Sequence, residues 1–369
     1  MNETARDDNA ESSQPGAMAG LGLGLAAIAL AGMAVPVRQG VDDPVVVTGL
    51  LFAVGALLVF GARRYDVLDR RYSPVGALCS LGVVVLAGYA LNQGINGTTS
   101  IPVIGGTVPA VFVAFLTAAV AIGIAIAEYG SVSVVGLTHR VALTGHLSLL
   151  ALVAWLVALF AGQLLVIPFE LTFGSLTENQ FIAVSQIGFA VGTGAIAVGY
   201  VRATGRDWSF FDLRWPTLRQ VGWIVGGIGL IFLTNIALSI LYTSSGVEGA
   251  EHSATQAAQQ NPELLYVMIP ASILIVGPFE ELLYRNVIQK SMYGVFSRWG
   301  ALLVSSVIFA VIHVAAYATA GAGAIMASLA VVFGLSLVLG TVYLLTENIV
   351  VPAIIHGIYN AIIFASLML

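Results

Sequence analysis

A chain of 369 residues that is 58% hydrophobic and 9% charged lies outside the range of soluble globular domains, and its mean hydropathy of +0.95 agrees. A net charge of −5 and the lack of a convincing basic nucleic-acid patch argue against a nucleic-acid partner. The single cysteine, Cys79, rules out an intrachain disulfide and, set in an apolar run, reads as a small core residue.

Apolar runs of about 20 residues recur along the chain, enough to cross a hydrocarbon core of about 30 Å as helix. About eleven are predicted, at roughly 17–37, 44–62, 74–93, 108–128, 146–168, 181–203, 220–242, 264–285, 300–320, 323–345 and 348–369. Period-2 alternation is missing and the runs are about twice the length of a barrel strand, which argues against a transmembrane β-barrel. The expected fold class is all-α, a polytopic transmembrane helical bundle. The first sixteen residues are polar and acidic (Glu3, Asp7, Asp8, Glu11), so no short signal peptide is evident and the first run reads as a retained span.

Charge predicts the orientation. With eleven spans, Arg6, Arg63, Arg64, Arg70, Arg71, Arg140, Arg202, Arg206, Arg214, Arg219, Arg285, Lys290 and Arg298 fall on one side and only Arg38 on the other. That asymmetry predicts a cytoplasmic N-terminus and an external C-terminus in a multi-pass protein of the cell membrane.

The first four spans are rich in Gly, Ala, Val and Leu, as close helix packing in lipid requires, and carry almost nothing ionisable in their interiors. Glu128 at the end of the fourth reads as interfacial, and His139 and His146 as solvated residues flanking a cytoplasmic loop with Arg140. The loop from Asp207 to Pro216 mixes aromatic and charged residues and reads as an interfacial anchor. Residues 246–262, with Glu248, Glu251 and His252, read as a polar external loop that promises no metal site.

Three C-terminal spans carry polar residues that lipid normally excludes, each at a cost of about 2–4 kcal/mol on insertion scales. The eighth contains Glu280, Glu281 and Arg285; the ninth Phe309 and His313; the eleventh His356 and Asn360. Glu281 and Arg285 are four apart on one helical face, so Arg285 can neutralise Glu281, while Glu280 points about 100° away toward a cavity. Pro278 is expected to kink the helix beside them. Counted at helical rise, Glu280 lies about 24 Å along its span and His356 roughly 12 Å from the cytoplasmic end of its own. The site is therefore expected in the cytoplasmic half of the membrane.

A carboxylate beside an imidazole can hold and deprotonate one water, while a second imidazole and an amide donate to an oxyanion. Those are the parts of peptide hydrolysis. No serine or cysteine sits in a nucleophile motif, and HExxH is absent. Two histidines and a carboxylate are also a zinc donor set, so Glu280, His313 and His356 would be the ligands if a metal is bound; no cofactor is favoured. A proton-coupled transporter and a non-catalytic membrane scaffold are the rival readings. An outer half empty of ionisable residues weighs against transport.

EExxxR, FxxxH and HxxxN, in that order on hydrophobic helices, resemble the CPBP family (CAAX proteases and bacteriocin-processing enzymes, also called the Abi family). The resemblance covers about 264–369 and extends faintly to Phe211–Pro216; the first four spans lie outside it. It implies an intramembrane endopeptidase that cuts near the cytoplasmic face. By motif, Glu280 would be the base acting on water and His313 would position it. His356 and Asn360 would stabilise the oxyanion, and Glu281 with Arg285 would organise the site. The family is described both as glutamate protease and as metalloprotease, and the former is favoured. The implied partners are membrane lipid and a peptide or protein substrate with a membrane-associated segment. Asn286 departs from the pattern, which commonly has a small residue there, and is expected to alter local packing. The chain is thus expected to divide into a four-span region of unknown role, 1–143, and a protease core, 144–369, with its motifs in 278–360.

Overall fold

The structure, a computed structural model, describes residues 16–101 and 105–369. The acidic leader, Arg6 included, lies outside the described residues. Among those described, eleven helices are long and apolar enough to cross a membrane, so the all-α expectation holds. They are Ala17–Arg38, Pro44–Arg64, Arg70–Asn92, Ala110–Tyr129, Val134–Phe173, Glu178–Ala203, Leu218–Ser245, Pro262–Gly294, Arg298–Tyr317, Ala322–Thr346 and Val350–Met368, the first to eleventh spans below. The chain divides into two compact units, Met1–His139 and Arg140–Leu369.

In the first unit each helix packs on its sequence neighbours, and the first packs also on the fourth. Small residues line these contacts: Ala26, Ala29 and Gly32 on the first span, Ala110, Ala114 and Ala121 on the fourth, all buried. A Cβ on Gly32 would stand 2.7 Å from the Ala110 carbonyl, so backbone meets backbone there. Glu128, at the end of the fourth span, is buried within the protein: it pairs with Arg63 at 2.9 Å and accepts from the Ser73 hydroxyl at 2.8 Å. Between the third and fourth spans Thr98–Ile101 and Gly106–Pro109 pair as a short antiparallel hairpin, which apolar periodicity alone did not predict.

In the second unit several elements depart from the predicted boundaries. The fifth span runs for 40 residues because no proline interrupts it before Pro168. His146 therefore belongs to a helix rather than to a loop flank, as do His139 and Arg140 at its start. The segment read as an external loop contains a further short helix, Ser253–Gln260, capped by His252. The eighth span continues past residue 285 to Gly294, which places Glu280 near its middle rather than within two turns of its end. That span is irregular: π-helical turns at Ser272–Val276 and Leu282–Gln289 flank one α-helical turn, Gly277–Glu281. Pro278 falls where π gives way to α, so its missing N–H is absorbed by the wider turn.

Glycines set how closely the spans approach. A Cβ on Gly188 would stand 2.2 Å from the Gly162 Cα, which brings the fifth and sixth spans into backbone contact. A Cβ on Gly277 would meet the Ala353 carbonyl and the Gly357 amide at 2.7 Å, and one on Gly357 would meet the Ser272 carbonyl at 2.8 Å. The eighth and eleventh spans thus cross with no side chain between them.

Candidate active site

That crossing creates the site. Glu281 lies one turn after Gly277, and His356 is the residue before Gly357, so the two side chains are delivered to the same place. Glu281 Oε1 accepts from His356 Nδ1 at 3.0 Å, and its other oxygen accepts from Arg285 Nε at 2.8 Å. Glu281 and Arg285 are both 0% exposed. Arg285 also donates to the Ser336 hydroxyl at 3.0 Å, and its guanidinium lies 4.9 Å from the centre of the Phe309 ring.

Glu280 is turned the other way, as helical geometry requires. Its Oε2 lies 4.0 Å from His313 Nε2 and 3.9 Å from His356 Nε2, is buried, and accepts no hydrogen bond from any protein group. The tautomers follow from the partners. His313 Nδ1 lies 2.7 Å from the Phe309 carbonyl, which can only accept, so Nδ1 carries hydrogen and Nε2 presents a lone pair when the ring is neutral. His356 Nδ1 is committed to Glu281 in the same way. Both imidazoles therefore turn Nε2 toward one carboxylate oxygen. Phe309 is their common platform, with ring centres 4.5 Å from His313, 6.0 Å from His356 and 4.8 Å from Tyr284.

Asn360 follows His356 by one turn, is half-buried, and makes no hydrogen bond to Glu280, His313 or His356. Among the sequence-predicted site residues it alone makes no hydrogen bond or ion-pair contact with another of them, although it shares a helical face with His356.

A cavity of about 380 Å³ opens beside Glu280 and His313. Its walls combine Trp155, Leu159 and Phe189 with Gln163, Ser185 and Gln186, from the fifth and sixth spans. His252, from the segment read as a polar external loop, also lines it. Burial, with His313 adding to it, pushes the His252 pKa down to about 4. Nothing in the local sequence marked this histidine, because its approach to the site is purely tertiary.

The loop between the sixth and seventh spans is more than an anchor. Trp215 is 94% exposed, as an anchor would be, yet Asp212 is buried. Its carboxylate accepts from Lys290 Nζ at 2.7 Å and from the Tyr343 hydroxyl at 2.6 Å. Asn286 donates to Tyr343 at 3.0 Å. The departure at Asn286 therefore ties the helix that carries the glutamates to this loop.

The donor set His313, His356 and Glu280 suits zinc chemically, but its spacing does not. Tetrahedral zinc with bonds of about 2.0–2.2 Å needs donor-to-donor edges of about 3.4 Å, shorter than the 3.9 and 4.0 Å present. Among the described residues no group of three His, Cys, Asp or Glu side chains is placed to hold a metal.

Residues 262–362 match the family model described as Type II CAAX prenyl endopeptidase Rce1-like. This segment is similar to the Rce1-like family. The matched segment contains Glu280, Glu281, Arg285, His313, His356 and Asn360, and begins with the eighth span. No curated protein and no solved structure matches the chain.

Proposed function

We propose that this protein is an intramembrane endopeptidase in which Glu280 activates water against a peptide bond of a membrane-associated substrate. The observation that carries the reading is the convergence of two imidazole Nε2 atoms on the unpaired, buried Oε2 of Glu280. With neutral rings, Oε2 and the two Nε2 atoms are all acceptors. Water, with two hydrogens, can donate to Glu280 and to one imidazole at once, leaving an oxygen lone pair for the scissile carbonyl. Polar groups about 4 Å apart are suitably spaced for one water between them.

In the proposed reaction water oxygen attacks the carbonyl carbon, Glu280 takes the proton, and the carbonyl electron pair moves to oxygen. Collapse breaks the C–N bond as Glu280 returns the proton to the leaving amine. His313 positions the water. His356 can donate to the oxyanion only as imidazolium, because its Nδ1–H is held by Glu281. Arg285 holds that carboxylate in turn, and Asn360 would reach the oxyanion only when substrate is bound. The distribution of arginines supports a cytoplasmic N-terminus, with cleavage near the cytoplasmic face.

The test compares membranes of cells making the wild-type chain with cells making Glu280→Gln, sequencing newly formed peptide termini. Termini present only with the wild type support the reading. Identical sets of termini overturn it.

A further inference from the structure

We propose that His252 is a further substrate-binding residue, a fixed N–H donor to the scissile carbonyl oxygen from the wall of the cavity that holds Glu280 and His313. The proposal rests on the endopeptidase reading above and adds a donor to it from a different part of the chain.

Three features of the ring support this. The first is its place: His252 lines the same cavity as Glu280 and His313, together with Trp155, Gln163 and Ser185. The second is its tautomer. His252 Nδ1 accepts the Ala254 amide hydrogen at 3.1 Å as the N-cap of helix Ser253–Gln260, so the neutral ring carries its hydrogen on Nε2, on the opposite edge. The low pKa of this ring keeps it neutral, and so a donor without net charge, across the physiological range. The third is rigidity. Its ring stands edge-on to Tyr317 with centres 5.1 Å apart. The preceding residues are pinned on both sides: Ala250 N donates to the Ala324 carbonyl at 3.1 Å, Ser328 donates to the Ala250 carbonyl at 2.8 Å, and Thr319 donates to the Glu251 carbonyl at 2.7 Å. A donor held this way needs no reorganisation as negative charge develops on the carbonyl oxygen, which is the condition for strong transition-state stabilisation.

The capping role must be separated from the donor role. Asparagine and aspartate both cap a helix well and have nearly the same shape, but only asparagine keeps an N–H. The experiment uses the purified full-length chain in detergent. Its probe is an internally quenched peptide ending in S-farnesyl cysteine, two aliphatic residues and a variable residue, the class named by the family description. Thermal unfolding is followed in parallel. His252→Asn, whose N–H sits nearer the backbone than Nε2 does, is expected to lose less kcat than His252→Asp, which falls about 10²–10³-fold, the usual effect of losing one oxyanion donor. KM and the melting temperature should change little in either. A similar kcat for both variants and the wild type overturns the assignment. Equal losses in both, with a lowered melting temperature, also overturn it, since they mark a purely structural cap. If the wild type leaves the probe intact, the same variants are assayed on a peptide spanning a cleavage site found by terminus sequencing. Should no such site exist, the endopeptidase reading fails and takes this proposal with it.

Discussion

Glu280 and Glu281 are adjacent, yet one is bound on both oxygens and the other has an oxygen that no protein group bonds. Their substitutions should therefore separate. Glu280→Gln is expected to abolish cleavage while leaving the melting temperature near that of the wild type, because no structural bond is lost. Glu281→Gln weakens the link to the fully buried Arg285 and the link to His356, and breaking a buried pair costs about 3–5 kcal/mol. It should lower the melting temperature and the activity together, as measured by unfolding in detergent. Equal melting temperatures for the two variants would contradict this division. The relation of Glu281 to Arg285 was legible in the sequence because four-residue spacing on a helix specifies a shared face. The union of Phe309 with Arg285, His313 and His356 was not, since it depends on how three helices approach. His252 adds a pH effect. Its folded pKa, about 4, lies below the ordinary value near 6.5. The unfolded chain thus takes up a proton first on acidification, and stability falls as pH drops from about 6.5 to about 4, by up to tenfold per pH unit in the unfolding equilibrium. Glu280 and His313 face the same cavity in both proteins. The difference between wild type and His252→Asn isolates the histidine; superimposable curves would refute its part.

At the scale of elements, the site depends on the bare crossing of the eighth and eleventh spans. Gly277→Ala places a methyl group 2.7 Å from backbone atoms that cannot turn aside. Overpacking of this kind costs about 1–3 kcal/mol, and it moves His356 relative to Glu281. The expected result is a lower melting temperature with a large fall in kcat. Gly226→Ala is the control, since its new Cβ meets nothing within 4 Å; it should stabilise by about 0.4–1 kcal/mol and leave activity alone. A harmless Gly277→Ala would contradict the account. Apolar run length made the spans legible, because lipid thickness imposes a length on any helix that crosses it. It could not mark the π-helical turns around Gly277–Glu281, which arise from the proline and from packing, nor the extension of the fifth span through His139 and His146.

At the scale of the whole molecule, the arginine distribution predicts which loops face the cytoplasm. In a Cys79→Ser background, Glu248→Cys should react with a membrane-impermeant maleimide in intact cells, and Asp66→Cys only after lysis; the reverse pattern would invert the topology. Both positions are exposed, so labelling reports side rather than burial. This orientation bears on access to the cavity, because its walls come from the interior of the spans and from the segment carrying His252. The most direct test of the central claim is the rate of peptide-bond cleavage by the purified full-length protein and its Glu280→Gln variant, on a peptide cut by the wild type. The account predicts a loss of at least about 10³-fold in kcat with unchanged peptide binding, and cleavage by the variant at a rate near that of the wild type would contradict it.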